Sequence, residues 1–576
     1  MVMRTSKMVM RTSKMPMKFA MLAILGLVSI AAVGDEPTGE EPQYGGSLNV
    51  GTVVVTLAPL SWDPVDWSWK INHDTGMVRE QLFAADLDKS VRKGGKYRFI
   101  SEAYLPPASL RGELAESWEW ETPLTLVIHL RHGVMFPDKP GVMNEREFVA
   151  DDVLYTFDLV SNSPKKIPTY FDHIDRLEAR DDHTIVFHFN EYNAEWAYRF
   201  GYGFHSGISP RETADIDRKD WRNVVGSGPF ALTRYVRNNS QRYTKNPDYW
   251  DTERIGDKRY PIPFIDDMTY RIIKDEATWL TALRTGKLDI LESIRFIAVD
   301  HLKETTPELK WNRRLATAGT FMVLRVDRPP FDDVRVRRAI NLAVNHEEIV
   351  ELFYDGHAEL MAYPQHPGYG EYFQPLEEMR ASVQELFSYN PEKARRLLAE
   401  AGYPEGFEFN VQVCSCSPTQ MDILPLIKDY LSRVGITFEI EPMEYAAFLS
   451  VMTTRTHSAG YMMASGHTNP TTTLRKSFKS RQTWNPSQYS DPDVDRRIAE
   501  YHRSRDETER IRMIRELTVD MLDAAPYLWL PTQYVYTAWW PWVKNYGGEL
   551  RAGAVRPGPI YARLWIDQEL KRELGF

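Results

Sequence analysis

Residues 114–138 read LAESWEWETPLTLVIHLRHGVMFPD, and residues 144–158 read NEREFVADDVLYTFD. Leu114–Trp120 and Thr125–Leu130 are expected to form two short strands, because β-branched and apolar residues alternate there with polar ones. The chain then turns at His132-Gly133 and passes an aromatic–acid step at Phe136-Pro137-Asp138. A helix follows. Glu147 stands before it, and Val149, Val153, Leu154 and Phe157 recur at helical spacing. Taken alone, this is a strand–strand–helix unit that carries no chemistry.

The stretch closely resembles the signature of the family 5 extracellular solute-binding proteins, the dipeptide-, oligopeptide- and nickel-binding receptors of ABC importers. That signature runs L-A-E-S-W-E, an apolar strand, L-R-x-G-V-x-F-x-D, then A-x-D-V-x-x-[ST]. Leu114-Ala115-Glu116-Ser117-Trp118-Glu119, Leu130-Arg131, Gly133-Val134, Phe136, Asp138, Ala150-Asp151-Asp152-Val153 and Phe157 fit it. Working outward, Gly45–Gly51 resembles the family's first strand, and Trp62-Asp63-Pro64 its D-P turn. Gly226–Phe230 resembles its G-T-G-P-[FY] return, Asn246–Trp250 its N-x-x-Y-W, and Leu283–Ile290 its G-x-x-D element. The resemblance implies an α/β, two-lobed periplasmic-binding-protein-like fold with an extra inserted domain and a hinge between lobes. It implies a discontinuous domain I at 43–72, 226–318 and 530–576, an inserted domain II at 73–225, and domain III at 319–529.

Composition agrees with a folded chain. The 576 residues suffice for roughly three or four domains of ~150 residues. Hydrophobic content is 43%, charged content 26%, and formal net charge −10. Residues 1–34 carry Arg4, Lys7, Arg11, Lys14 and Lys18 and no acid, so the remainder is more acidic still. An acidic chain lacks the basic footprint that nucleic-acid binding needs. Residues 1–34 place basic residues before the apolar run Phe19–Val33 and end in Ala32-Val33-Gly34. They read as a secretory signal peptide, with 35–42 as a disordered leader. The repeated heptad MVMRTSK at Met1 and Met8 points to an over-long start, with Met8 or Met15 as the true one. No cysteine near the cleavage site accepts a lipid, so a periplasmic or extracellular soluble protein is expected.

Further along, Asn390–Ala401 is legible from physics alone. Asn390 is placed to cap, Pro391 occupies the first helical position, Ala394, Leu397, Leu398 and Ala401 share a face, and Gly402 closes the helix. Phe407–Val413 is an expected strand, Leu424–Val434 a helix ended by Gly435, and Thr437–Glu441 a second strand. That order predicts a right-handed α/β unit. Asp506–Ala524 is an expected long helix, and Tyr527–Tyr546 an aromatic, strand-like tail.

Three patterns invite chemistry and fall short of it. His346-Glu347-Glu348 lacks the second histidine of H-E-x-x-H, because residue 350 is Val350. These three are expected to be polar residues on a helix surface. Asp491, Asp493 and Asp495 alternate like a calcium loop, but Arg496 stands where glycine is needed. An acid-rich helix N-terminus explains them, and Tyr489, Asp491-Pro492 and Asp495 resemble the family's Y-x-[ND]-P-x-x-D. Cys414 and Cys416 are two apart, near the upper limit for a bridge within an extended strand, so free thiols are expected. No nucleophile elbow is present. No catalytic residue, metal or cofactor is therefore expected.

The resemblance also points to ligand loops. In peptide-binding relatives an aspartate in a third-domain loop pairs with the ligand's α-amine, and the matching segment Tyr461–Thr471 holds no acid. The loop that often carries a base for the peptide carboxylate corresponds to Cys414–Gln420, which has none. Candidate ligand contacts are Trp62, Ser417, Tyr445, Gly466, His467, Thr468, Asn469, Trp484 and Asn485. Trp62, with Trp67 and Trp69, reads either as core aromatics or as a stacking wall. This polar, uncharged set favours a ligand that is neutral or blocked at its amine, peptide-like or oligosaccharide-like. The expected partners are an ABC permease and ATPase, with the chain itself monomeric. The rival readings are a secreted hydrolase on a two-lobed scaffold and a sensory or chaperone-like receptor of the same fold.

Overall fold

The structure is a computed structural model. It describes residues 41–576 apart from 53–60, 67, 167–169 and 467–468. The signal peptide expected over 1–34 and the leader up to residue 40 lie outside the described residues, as do Trp67, His467 and Thr468.

The decisive stretch builds an antiparallel four-stranded sheet. Ala115–Thr122 pairs with Thr125–Leu130, which pairs with Thr184–Phe189, which pairs with Ile174–Asp181. Leu126, Ile128 and Leu130 enter the core together with Ile185, Phe187 and Phe189, the period-two pattern of a pleated strand. The helix that follows spans Ala150–Ser161. Asp152 accepts from the Val149 N–H at 3.1 Å and from Arg146 at 2.9 and 2.7 Å, so one carboxylate caps the helix and ties it to the preceding strand.

A second sheet of eight strands gathers Ser47–Gly51, five strands between Phe230 and Leu315, Thr532–Trp539 and the short Ala358–Glu359. Ser47–Gly51 lies inside it, parallel to Asp267–Arg271 and Ile290–Arg295. This sheet and the four-stranded one share a single hydrophobic core. They form one lobe.

The other lobe is a five-stranded sheet in the order Ile436–Met443, Phe407–Cys414, Gly460–Gly466, Ala318–Leu324, Tyr527–Trp529. Ala318–Leu324 and Tyr527–Trp529 are buried on both faces, while Phe407–Cys414 and Ile436–Met443 leave alternate residues exposed. Phe321, Val323, Tyr461, Met463, Tyr527 and Trp529 point into one core, and Met322, Leu324, Met462 and Leu528 into another. Helices cover each face: Val334–Ala343, Pro391–Glu400 and Pro418–Ser432 on one, Pro470–Phe478, Pro492–Arg503 and Glu507–Asp523 on the other. Among the described residues no helix is long and apolar enough to cross a membrane.

Two chain segments join the lobes, one between Leu315 and Ala318 and one between Trp529 and Thr532. They run side by side, tied by a hydrogen bond from the Ala316 N–H to the Gln533 carbonyl at 2.9 Å.

Local expectations meet the structure unevenly. Asn390 accepts from the Lys393 N–H at 3.0 Å, Pro391 opens the helix, and Gly402 takes φ +95°. Asn390→Ala should cost about 1 kcal/mol, the ordinary worth of such a cap, while Asn390→Asp retains most of it. Urea midpoints of the two variants check this. Asp491 caps its helix through the Asp493 N–H at 2.8 Å, which gives the acids their structural role.

Three expectations are corrected. The helix expected from Leu424 begins at Pro418, since Pro418 suits the first turn, and this shortens the loop at Cys414–Gln420. Cys414 and Cys416 are bridged. The strand ends at Cys414 and the chain turns at Ser415, which brings the Cα atoms to 5.1 Å, inside the range a disulfide needs. His346 is not on a helix surface. It is fully buried, its Nε2 bonded to the Trp529 carbonyl at 2.8 Å, while Glu347 is exposed. A short helix restarts at His346 after the break at Val344-Asn345, and its first residue meets the inner strand Tyr527–Trp529.

Candidate functional site

Where the lobes meet, a carboxylate from one is docked on a helix of the other. Glu195 sits in a turn held by the Asn193 side chain, which accepts from the Glu195 N–H at 2.9 Å. Across the seam, Asn469 caps the helix Pro470–Phe478, accepting from the Thr472 N–H and the Thr471 hydroxyl, both at 2.7 Å. The Thr472 hydroxyl donates to Glu195 at 2.5 Å, and the Thr471 hydroxyl, 2.8 Å from the same carboxylate, divides its one proton between Glu195 and Asn469. The negative charge thus faces a helix N-terminus, where the backbone dipole favours it. His502 Nε2 stands 3.2 Å and Arg475 Nε 3.7 Å from the same carboxylate, and Arg199 of its own lobe bonds it at 2.5 Å.

All of these groups are buried. Burial opposes the charge on Glu195, but Arg199, His502 and Arg475 together hold its carboxyl well below the usual value. Burial pushes His502 down, against the pull of Glu195. Burial, with Arg199 nearby, also lowers Arg475. One carboxylate therefore serves two buried guanidinium groups, leaving an excess of positive charge. At the rim, Arg503 pairs with Glu191 at 2.5 Å and Arg505 lies over the Tyr192 ring at 3.9 Å.

A second set of charged groups lies along the same seam. Tyr104 of the first lobe meets Tyr369 of the second edge to face at 5.0 Å. Burial raises the nearby Glu102 carboxyl, while Lys476 from the opposing helix and Arg551 pull it back. Burial draws Lys476 down to about 8, with Glu102 opposing. Arg551 also reaches Glu292 at 3.4 Å, and the Tyr561 hydroxyl donates to Glu292 at 3.0 Å. Arg314 is drawn to about 10 by burial, with Glu292 opposing. Arg314 Nε, Arg551 Nε and Gln365 Oε1 are buried without a hydrogen-bond partner among the described residues. Buried polar atoms are ordinarily satisfied, so directed orphans at a seam mark where a polar solute would bond.

The residues singled out from sequence are scattered. Trp62 lies in the core of the first lobe, edge to face with Tyr235 at 5.3 Å, while Trp484 packs against a core of the second. Asn485 is buried and donates to the Lys479 and Tyr489 carbonyls at 3.1 and 2.8 Å. Ser417 precedes the helix Pro418–Ser432, and Tyr445 opens the helix Tyr445–Thr453 and packs against the same core as Trp484. Gly466 ends its strand. Among the described members of the set, Asn469 is the one that touches the seam cluster, through Thr471 and Thr472. Glu102, Glu195, Arg314, Arg475, Lys476, His502 and Arg551 were not legible as site residues. They come from separate parts of the chain, and no local motif marks them.

Comparison with known proteins agrees with this architecture. The profile of the bacterial extracellular solute-binding proteins, family 5 (middle), matches residues 109–486, more than half of the chain. Di/tripeptide-binding protein 1 of Pseudomonas aeruginosa is 27% identical over 363 residues, covering 58% of this chain and 64% of that relative, less than two thirds of its length. Heme-binding protein A of Haemophilus influenzae is 27% identical over 448 residues, covering 73% of this chain and 78% of the relative. Among solved structures, the ABC transporter-associated periplasmic binding protein DppA from Helicobacter pylori, in complex with the peptide STSA, superposes with a TM-score of 0.75. It is 24% identical and covers 91% of this chain and 99% of its own. That likeness establishes the two-lobed, mixed α/β fold.

Proposed function

This chain belongs to the bacterial extracellular solute-binding proteins, family 5, and from that premise we propose that it is the exported solute receptor of an ABC importer, taking a peptide-like solute between its lobes. The observation that carries the reading is the seam, where charged groups of both lobes are buried against one another and several of their polar atoms lack partners. Solute enters an open cleft, the paired segments at 315–318 and 529–532 flex, and closure buries it. The closed form then docks on a membrane permease coupled to an ATPase. In this reading the eight-stranded sheet marks domain I, the four-stranded sheet the inserted domain II, and the five-stranded sheet domain III. The exported protein begins near Asp35.

The charge at the seam narrows the solute. The buried guanidinium groups of Arg199, Arg314, Arg475 and Arg551 outnumber the carboxylates of Glu102, Glu195 and Glu292 there. An excess of buried positive charge favours an anionic partner, because an unpaired charge in a closed site loses hydration that nothing returns. The preferred solute is thus peptide-like, with a carboxylate and with an amine that is blocked or carries no net role in recognition.

Native mass spectrometry of the purified protein should reveal a co-purified solute of this kind. Calorimetry with one short peptide in free, acetylated and amidated forms then decides the charge reading. Amidation should weaken binding at least tenfold, and acetylation should leave it nearly unchanged. The reverse order would overturn the anionic assignment. Small-angle scattering with saturating solute should show a smaller radius of gyration, and an unchanged radius with a bound solute would count against lobe closure.

A further inference from the structure

Outside the seam, two turns of the inserted four-stranded sheet and a short strand beside it bring together two imidazoles and a carboxylate. His132 stands in the turn after Thr125–Leu130, at the position that L-R-x-G-V leaves open. His183 stands in the turn between Ile174–Asp181 and Thr184–Phe189, and Glu147 on the short strand Arg146–Glu147. One ligand atom from each lies within 4.8 Å of the others. The two imidazole rings approach to 3.8 Å between centroids, tilted by 41°. His183 Nε2 lies 3.8 Å from Glu147 Oε1, and His183 Nδ1 is buried without a hydrogen-bond partner among the described residues.

The scaffold around these side chains is fixed by main-chain bonds. The Leu130 N–H donates to the His183 carbonyl, the Ala150 N–H to Asp182, and the Phe148 N–H to Val134, each at 2.8 Å. The Gly133 N–H donates to Glu147 Oε1 at 2.6 Å, orienting the carboxylate in the way that metal-ligating carboxylates are oriented from outside the ligand shell. Gly133 has φ +71°, which lets the turn close on Glu147.

We propose that His132, Glu147 and His183 form a site for a divalent transition ion, with Zn2+ as the type. Two imidazoles and one carboxylate are a borderline-soft donor set that suits Zn2+ and its neighbours. Ca2+ and Mg2+ are disfavoured, since they take oxygen ligands and only one carboxylate is present. Tetrahedral Zn2+ holds its ligand atoms about 3.3 Å apart at ordinary bond lengths. His183 and Glu147 are within half an ångström of that separation, and the exposed His132 ring has room to rotate the remaining distance. Three protein ligands leave a fourth position open to water or to an exogenous donor. The sequence carried no sign of the site, because its ligands sit in two separate turns and on a short strand with no motif spacing.

The test uses full-length protein freed of metal by chelation and then dialysed. Competition against a fluorescent chelator at pH 7.5 should give one Zn2+ per chain with a micromolar or tighter dissociation constant. His132→Ala and His183→Ala should each weaken that affinity at least tenfold. Saturating Zn2+ should also raise the thermal midpoint of the unsubstituted protein and leave that of His132→Ala unmoved. His132 is exposed, so its alanine variant is expected to fold. Solute binding, which involves none of these three residues, serves as the control for folding. Zn2+ affinity weaker than about 100 µM, or affinity that survives both histidine substitutions, would overturn the proposal.

Discussion

Glu195→Ala should weaken solute binding on the order of a hundredfold or more while leaving each lobe folded. Among the described residues the carboxylate is the acid facing Arg199, Arg475 and His502, and two threonine hydroxyls meet it at the start of the helix Pro470–Phe478. Removing one member of a buried ion pair strands the other charge and costs about 3–5 kcal/mol. The share of that cost owed to Thr471, Thr472, Arg475 and His502 falls on the closed arrangement, because they belong to the opposite lobe, while the share owed to Arg199 falls on the first lobe in either form. A penalty on the closed form alone appears as lost affinity, one decade per about 1.4 kcal/mol. Glu195→Gln keeps an acceptor for the threonines but not the charge, and should fall between wild type and alanine.

Acidification should act on the same contact. Glu195 in the closed form titrates well below the usual 4.5. Its contribution is present above that ordinary value and is lost as pH falls through the lower, closed-state value. His502 is pushed below its usual 6.5 by burial. The open form therefore gains a proton more readily than the closed form, and closure weakens as pH falls below about 6.5. Affinity measured from pH 7.5 to 4 should fall monotonically in the wild type. The segment of that fall below 4.5 should be absent in Glu195→Ala. A flat wild-type profile, or a Glu195→Ala variant with wild-type affinity, would rule out the seam as the closing contact.

Much of the scaffold was legible because its signals are local. Thr125–Leu130 alternates, Asn390-Pro391 and Gly402 bracket a helix, and Asp491-Pro492 opens another within a few residues. What escaped depends on contacts distant along the chain. Thr471 meets Glu195 across 276 positions, and His346 is buried because the Trp529 carbonyl, 183 residues on, needs a donor. The Cys414–Cys416 bridge turned on a single feature, the end of the strand at Cys414. Reading the segment as continuous extended chain put the sulfurs at the edge of reach, and a turn at Ser415 removes that limit. Asn469 and Asn485 look like free polar groups in sequence, yet one caps a helix and the other bonds two loop carbonyls. Small amides near turns are most often engaged by backbone in this way.

Arg556→Met should destabilise the first lobe by about 3–5 kcal/mol, with little effect on the second. Both side chains of the Arg556–Glu113 pair are fully shielded from solvent. The guanidinium makes two parallel bonds to the carboxylate, at 2.5 and 2.8 Å, and the Gln81 N–H donates to the same group at 2.8 Å. The pair fastens the C-terminal segment to the start of the inserted sheet across 443 positions. Gly76 packs tightly against the stem of Arg556, since a β-carbon built on it would lie 2.7 Å from Arg556 Cγ and 2.5 Å from the Asn72 carbonyl. Glu113→Gln should cost a similar amount, because the buried guanidinium then lacks its counter-charge. The double variant Arg556→Met, Glu113→Gln should cost clearly less than the sum of the singles, since neither charge remains to be stranded. Urea unfolding followed by tryptophan fluorescence of the first lobe measures all three. Single variants that each lose under about 1 kcal/mol, or a double variant that is strictly additive, would show that the pair is not what holds the C-terminal segment in place.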